Sequence, residues 1–320
     1  VGAVVGLALL LTLSPLGALA QEEGRVEAVS NATGWLLDKQ MDDGGFPGFS
    51  GESDPGTTTD AVLALVAAQS LGIEVALQPA LDYLAENALV FAQTDPGSAA
   101  KLALALSTAG LDPHDFNTVD PLAIVQAAAA NGLIGFGPYE HALGILALAA
   151  AGEEIDEQTI TIARDAQAED GGWSFDGVTD PGAADTNTTA LMVQALIAAG
   201  LADDKAVAGG VEYLLAAQAD DGGFSYLSGD PIDSNSTALS IQALIAAGAD
   251  DAAIGAAMTA LMAFQNENGS FSWMLDPRDE NLFSTVEAIP ALAGLAMPFS
   301  VTDAGGTPVA ATPIAGLLAA

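Results

Sequence analysis

The chain contains no cysteine. Structural disulfides, cysteine-containing zinc sites, cysteine nucleophiles and a thioester bond are therefore excluded. Positive charge is nearly as scarce: six Lys plus Arg stand against 42 Asp plus Glu, a formal net charge of −36. Such a chain repels nucleic acid and anionic lipid headgroups, so nucleic acid is not an expected partner. Arg25, Lys39, Lys101, Arg164, Lys205 and Arg278 are scattered along the sequence and form no cluster for a polyanion such as a prenyl diphosphate. Histidine is limited to His114 and His141, and aromatics are 6% of residues. The acidity has two readings, a solubilising surface suited to water or brine, or cation binding, and the first is the simpler.

What the chain has is repetition. DTNTTALMVQALIAAG opens at Asp185, DSNSTALSIQALIAAG at Asp233 and the looser NLFSTVEAIPALAG at Asn281, 48 residues apart each time. Each copy follows a Gln and a glycine turn ending in an aromatic: Gln167 with DGGW (170–173), Gln218 with DGGF (221–224) and Gln265 with NGSF (268–271). Weaker copies lie upstream. Gln40 and DGGF (43–46) lead to TTTDAVLALVAAQSLG, SAAKLALALSTAG ends at Gly110, and NGLIGFGPYEHALGILALAAAG spans 131–152. This period implies one supersecondary unit used six times between about 27 and 295.

Each unit reads as two helices. In the fifth, VAGGVEYLLAAQ (207–218) is amphipathic and stops at Asp-Asp-Gly-Gly, and Gly and Pro in FSYLSGDPID bar its continuation. Asp233, Ser234 or Ser236 caps the next helix, which is apolar on nearly every face over 238–247 and ends at Gly248. A helix apolar all round is buried between neighbours. Six pairs predict an all-α fold with an inner and an outer layer of six helices, closed into a ring or open as a solenoid.

The Gln, Gly-Gly, aromatic pattern and the D-x-N/S-x-T-A-L-x-x-Q-A-L helix resemble the repeat of squalene and oxidosqualene cyclases and of protein prenyltransferase β-subunits. The resemblance covers roughly residues 27–296. It implies an α/α toroid, an (α/α)6 barrel of six helix-pair repeats around a central cavity. Thioester domains of complement-like proteins and the α-domain of cobalamin carriers share that architecture. The last copy, ENLFSTVEAIPALAG with Pro290 inside the helix, is similar to the closing repeat of the cobalamin-carrier group. A corrinoid-like ligand is thus one expectation, although those carriers also use a β-domain, which here would have to follow Ala320.

The opening stretch, VGAVVGLALLLTLSPLGALA, reads as a secretory h-region with cleavage after Ala18-Leu-Ala20; an uncleaved membrane anchor is the alternative. The expected organisation is a signal peptide at 1–20, a toroid over 21–300 and a Pro/Thr/Gly-rich tail or linker over 301–320 leading toward a downstream domain or anchor. A monomer that is secreted or held at the cell surface is expected.

The family's chemistry can be carried over only residue by residue. In prenyltransferase β-subunits the resemblance places zinc at inner-helix starts, through a D-x-C pair and a later His. The matching positions are Asp185-x-Asn187 and Asp233-x-Asn235, and Asn is a poor zinc ligand. His141, beside Glu140, is the one histidine near that rim, so neither a metal nor another cofactor is expected. The D-x-D-D acid of squalene cyclases and the D-D-x-x-D cluster of magnesium-dependent cyclases are missing; Asp-Asp-Gly-Gly at 42–45 and 220–223 is turn sequence. The turn aromatics Phe46, Trp173, Phe224 and Phe271 are assigned to packing, whereas Tyr226 and Trp273, two residues past the turn, are free to line a rim. Carboxylates from different repeats can still converge inside a toroid.

If the inner helices run parallel, their first turns share one rim carrying Asp60, Glu140, His141, Asp185, Asn187, Asp233, Asn235, Asn281 and Ser284. Helix capping accounts for Asp185 and Asp233 on its own. The functional reading is a polar mouth over an apolar cavity. The expected function is binding of a small molecule or protein segment at this rim without the family's catalysis. An isoprenoid cyclase or transferase with a divergent acid is one alternative, and a structural cell-surface module is another. A buried carboxylate deep in the cavity would favour the enzyme, and a cavity filled by side chains would favour the module.

Overall fold

The computed structural model describes residues 15–300, with side chains from Glu22 onward. Residues 1–14 of the expected leader and the expected tail at 301–320 lie outside the described residues; 15–20 begin helix α1 (Pro15–Leu37). The helices that follow are α2 (Pro55–Ser70), α3 (Gln78–Ala92), α4 (Pro96–Thr108), α5 (Pro121–Ala129), α6 (Pro138–Ala151), α7 (Glu157–Asp165), α8 (Thr186–Ala198), α9 (Lys205–Ala217), α10 (Ser234–Ala246), α11 (Asp251–Met262) and α12 (Leu282–Ala293). A two-residue hairpin, β1 (Phe46–Pro47) with β2 (Ser53–Asp54), decorates the first turn.

The even-numbered helices form the inner ring. Each touches the next, and α12 returns to touch α2, so the array closes and the open solenoid is ruled out. The odd-numbered helices lie outside, α1 on α12, α3 on α2, α5 on α4, α7 on α6, α9 on α8 and α11 on α10. The inner helices are buried along most of their length, as the all-round apolar sequence requires; in α8 every residue from 188 to 196 is buried.

The glycine turns join one unit to the next. Gln40, Gln167, Gln218 and Gln265 each donate through Nε2 to the carbonyl of the turn glycine four residues on, at 2.7–3.1 Å. Three of them also reach the following outer helix: Gln167 to Ala206, Gln218 to Ala253 and Gln265 to Ala28, at 2.8–2.9 Å. The last of these bonds runs from the sixth unit to α1 and closes the ring. Gly269 beside it has φ +93°, and a Cβ there would run into the Asn31 carbonyl of α1, so the seam requires glycine. The aromatic that ends each turn is fully buried, in the packing role assigned to Phe46, Trp173, Phe224 and Phe271. Its backbone N–H donates to the hydroxyl of Thr58, Thr189, Thr237 or Thr285 at 2.9–3.0 Å, which ties the turn to the start of the inner helix.

Candidate functional site

Corresponding turns of neighbouring inner helices meet. Asp60 and Lys101, each the sixth residue of its helix, form an ion pair at 2.7 Å, and Asn235 near the start of α10 meets Ser284 near the start of α12 at 2.8 Å. The first turns therefore share one rim, and successive turns descend from it at about 5 Å per turn.

On the rim, five of the six inner helices are capped by a side chain, and α6 starts at Gly137 without one. Asp54, Asp95, Asp185, Asp233 and Asn281 each accept the N–H three residues on, at 2.7–3.0 Å. The second carboxylate oxygen of Asp185 accepts the Phe175 N–H at 2.9 Å, and that of Asp233 accepts the Ser236 hydroxyl at 2.7 Å. Burial raises both carboxyls above their usual range, and these hydrogen bonds oppose it. Asn281 also donates to Asp279 at 3.1 Å.

His141 is not brought to the mouth. It is fully buried, its Nδ1 accepting the Ile134 N–H at 3.1 Å and its Nε2 donating to the Thr159 carbonyl at 2.9 Å. Burial lowers its pKa, so it is a neutral core residue with both nitrogens used. Glu140 stands half-buried at the cavity edge, accepting the Phe136 N–H at 2.8 Å.

The remaining rim residues do come together. Asn187, Tyr226, Asp233, Asn235, Trp273 and Asn281 line a recess of about 740 Å³ over α8, α10 and α12, with Phe49 and Phe283 stacked at 4.4 Å beside them. Tyr226 and Trp273 are held there because their carbonyls accept the first N–H of the inner helix beneath, Thr186 and Ser234, both at 3.1 Å. Burial and the neighbouring Asp185 push the Tyr226 phenol up to about 12. Phe49, Phe136, Phe175 and Trp273 are all more than half exposed, so aromatics stand around the mouth.

Below the rim lies a cavity of about 330 Å³. Its walls are set by the sixth residue of each inner helix: Asp60, Lys101, Leu143, Leu191, Leu239 and Glu287. Around the ring the charged three are contiguous, on α12, α2 and α4, and the three leucines face them from α6, α8 and α10. Burial raises the Asp60 carboxyl, and Lys101 opposes it. Burial, and then the charge of Asp60, push Glu287 up to about 8 although Asn235 donates to it at 3.0 Å. That bond links the recess to the cavity. Gln242 and Met297 lie among the deeper lining residues. Among the described residues no group of His, Cys, Asp and Glu is placed to hold a metal ion.

Sequence reasoning placed Asp60 on the rim, whereas it sits one layer down. It missed Glu287, Gln242, Tyr139 and the exposed phenylalanines, and it treated Lys101 as one of the scattered cations. Laying the six copies over one another at their helix starts would have picked out the sixth position, where the copies disagree.

The chain belongs to the prenyltransferase alpha-alpha toroid domain family, whose model matches residues 4–97 and 192–293. No curated protein matches. Among solved structures it is similar to a protein from Actinoplanes, at 18% identity over 84% of this chain and 99% of that one, with a TM-score of 0.64. It is also similar to the type II terpene cyclase MstE from Scytonema, at 18% identity over 85% and 98% with a TM-score of 0.64. A glycosidase is similar at 12% identity over 89% and 100%, with a TM-score of 0.61. At these identities the likeness is one of fold.

Proposed function

We propose that the toroid is a binding domain whose ligand enters at the aromatic rim and occupies the cavity below, without the chemistry of cyclases or prenyltransferases. The observation that carries this reading is an open, two-sided cavity whose lining runs from the exposed Phe175 and from Asp95 at the rim down to Gln242. Exposed apolar residues grouped at a concavity mark binding surfaces, and pockets of about 300–1,000 Å³ suit small ligands. A structural module would have its cavity filled by side chains. The missing D-x-D-D and D-x-C motifs speak against the family's reactions. We also take the protein to be a monomer that is secreted or held at the cell surface, on the strength of its apolar N-terminal stretch; cell fractionation tests the location.

The test is titration with the neutral dye N-phenylnaphthylamine. One saturable site is expected, weakened in Trp273→Ala and lost in Leu191→Trp, which fills the cavity. Absence of a saturable site would sink the reading. One observation favours a second reading, an isoprenoid cyclase with a divergent acid: Glu287 is a carboxyl held toward its protonated form in a largely apolar cavity. Incubation with squalene, or with prenyl diphosphates and an acceptor, decides between them. No product above blank is expected, and turnover abolished by Glu287→Gln would establish the enzyme.

A further inference from the structure

Two features of the cavity go beyond a generic apolar pocket. The first is its division into a charged arc and a leucine arc. Lys101 is committed to Asp60 at 2.7 Å, whereas the hydrogen bond recorded for Glu287 comes from the neutral Asn235. The charged arc thus holds two carboxyl groups against one ammonium, and Glu287 has no cation of its own because Lys101 is paired with Asp60. The second is Gln242, deeper on α10. It is 0% exposed and lines the cavity, yet neither its amide nitrogen nor its amide oxygen has a hydrogen-bond partner. The equivalent residue one repeat earlier, Gln194, is satisfied, donating to Ala190 at 3.2 Å and accepting the Met297 N–H at 2.9 Å. A buried amide with both ends unpaired is costly, and in this cavity a ligand can supply what the fold does not.

We infer that the cavity selects an organic amine, a compact aliphatic body carrying a protonated nitrogen, with the nitrogen between Glu287 and Gln242 and the body against Leu143, Leu191 and Leu239. The ammonium gives Glu287 its missing counter-charge, and a second N–H reaches the Gln242 carbonyl. Anions meet a wall of the wrong sign. A pure hydrocarbon fills the leucine arc but leaves Glu287 and Gln242 unanswered. On binding, Glu287 releases its proton to solvent and stands as carboxylate beside the ammonium, so the charges balance without a further reactant. This inference rests on the binding reading above and names the ligand class of the same site.

The experiment is displacement of N-phenylnaphthylamine by three isosteric probes: aminoadamantane, hydroxyadamantane and adamantane carboxylate. The amine is expected to displace the dye at least tenfold more tightly than the alcohol, and the carboxylate not at all. Glu287→Gln should weaken the amine at least tenfold while the alcohol changes less than threefold, and Gln242→Leu should weaken the amine too. Melting curves check that each variant folds, and Leu191→Phe replaces Leu191→Trp if the larger side chain is not accepted. Equal displacement by amine and alcohol would overturn the amine class and leave the binding reading standing. Amine binding that survives the filled cavity would place the ligand elsewhere and overturn the proposal. Failure of the dye itself to find a saturable site would remove the binding reading and the inference with it.

Discussion

Replacing Glu287 by Gln should make the protein more stable in alkali and leave it nearly unchanged in acid. The carboxyl lies in the cavity on α12, facing Asp60 on α2, Lys101 on α4, and Asn235 and Asp233 of α10. Its pKa is pushed from 4.5 to about 8, first by burial and then by Asp60. Between those values the folded protein binds more protons at this site than the unfolded chain does. Stability must therefore fall as pH rises through that window, and the fall is complete above the folded value. At about 1.4 kcal/mol per pH decade the full loss approaches 5 kcal/mol, and water admitted to the cavity screens part of it, leaving about 2–5 kcal/mol. Glutamine keeps the shape and can still accept from Asn235 through its amide oxygen, but it never ionises. Burial also raises Asp60, Glu140, Asp185 and Asp233, and these tilt both proteins in the same direction, so the difference between them reports Glu287 together with its coupling to Asp60. Urea denaturation at pH 5 and pH 9 measures it. The two proteins should agree within about 1 kcal/mol at pH 5, with the variant ahead by about 2–5 kcal/mol at pH 9. A difference that stays the same at both pH values would mean that Glu287 ionises as in water, and the electrostatic reading of the cavity would be wrong.

Three further pairs of substitutions test the frame around the site. Gln265→Leu deprives the Ala28 and Gly269 carbonyls of their donor at the ring seam and should cost about 1–3 kcal/mol in urea denaturation, with Gln40→Leu, which loses only its bond to Gly44, costing about half as much. Asp185→Asn should cost about 1–2 kcal/mol because both carboxylate oxygens accept backbone N–H groups, and Asp233→Asn should cost about as much because the Tyr226 backbone N–H faces its carboxylate as Phe175 faces that of Asp185; thermal melts measure both. Lys101→Met strands Asp60 in the cavity wall and should cost about 1–3 kcal/mol at pH 7, with Asp60→Asn in the same chain restoring part of it.

The toroid was legible because its determinants are local and repeated. The aromatic of DGGW or DGGF and the Gln before it recur, with the D-x-N/S-x-T start repeated in the later copies, and each does the same structural work wherever it occurs. The second role of the Gln was not legible, since its reach to the next outer helix, as from Gln265 to Ala28, joins residues far apart in the chain. Rim polarity could be read because caps announce helix starts, but caps are also the residues whose hydrogen bonds are most fully used. His141 misled for a related reason. It lies one turn into α6, where the neighbouring Glu140 does reach the cavity edge, but the histidine side chain turns outward to Thr159. Glu287 was hidden inside a copy noted for its looseness, and its meaning depends on Asp60 lying next to it across the ring closure.

In a repeat protein, a residue shared by every copy answers a need that every copy has. The cap aspartates, the turn glycines and the buried threonines recur in most copies for this reason, and their hydrogen bonds explain them without a ligand. Whatever one face of the ring does and another does not must come from positions where the copies diverge on a common scaffold. The sixth inner-helix position is such a place: three leucines, one lysine and two acids occupy equivalent points around one cavity. The ninth is another, for Gln194 and Gln242 are the same residue in the same register, and only the first is met by the chain returning at Met297. A packing requirement would have levelled these differences, because an apolar residue fits each point at no electrostatic cost. Retaining buried acids on one arc opposite leucines on the other, with an unpaired amide on α10 where the two arcs meet, is instead the pattern of a cavity built to hold a molecule that is itself two-sided.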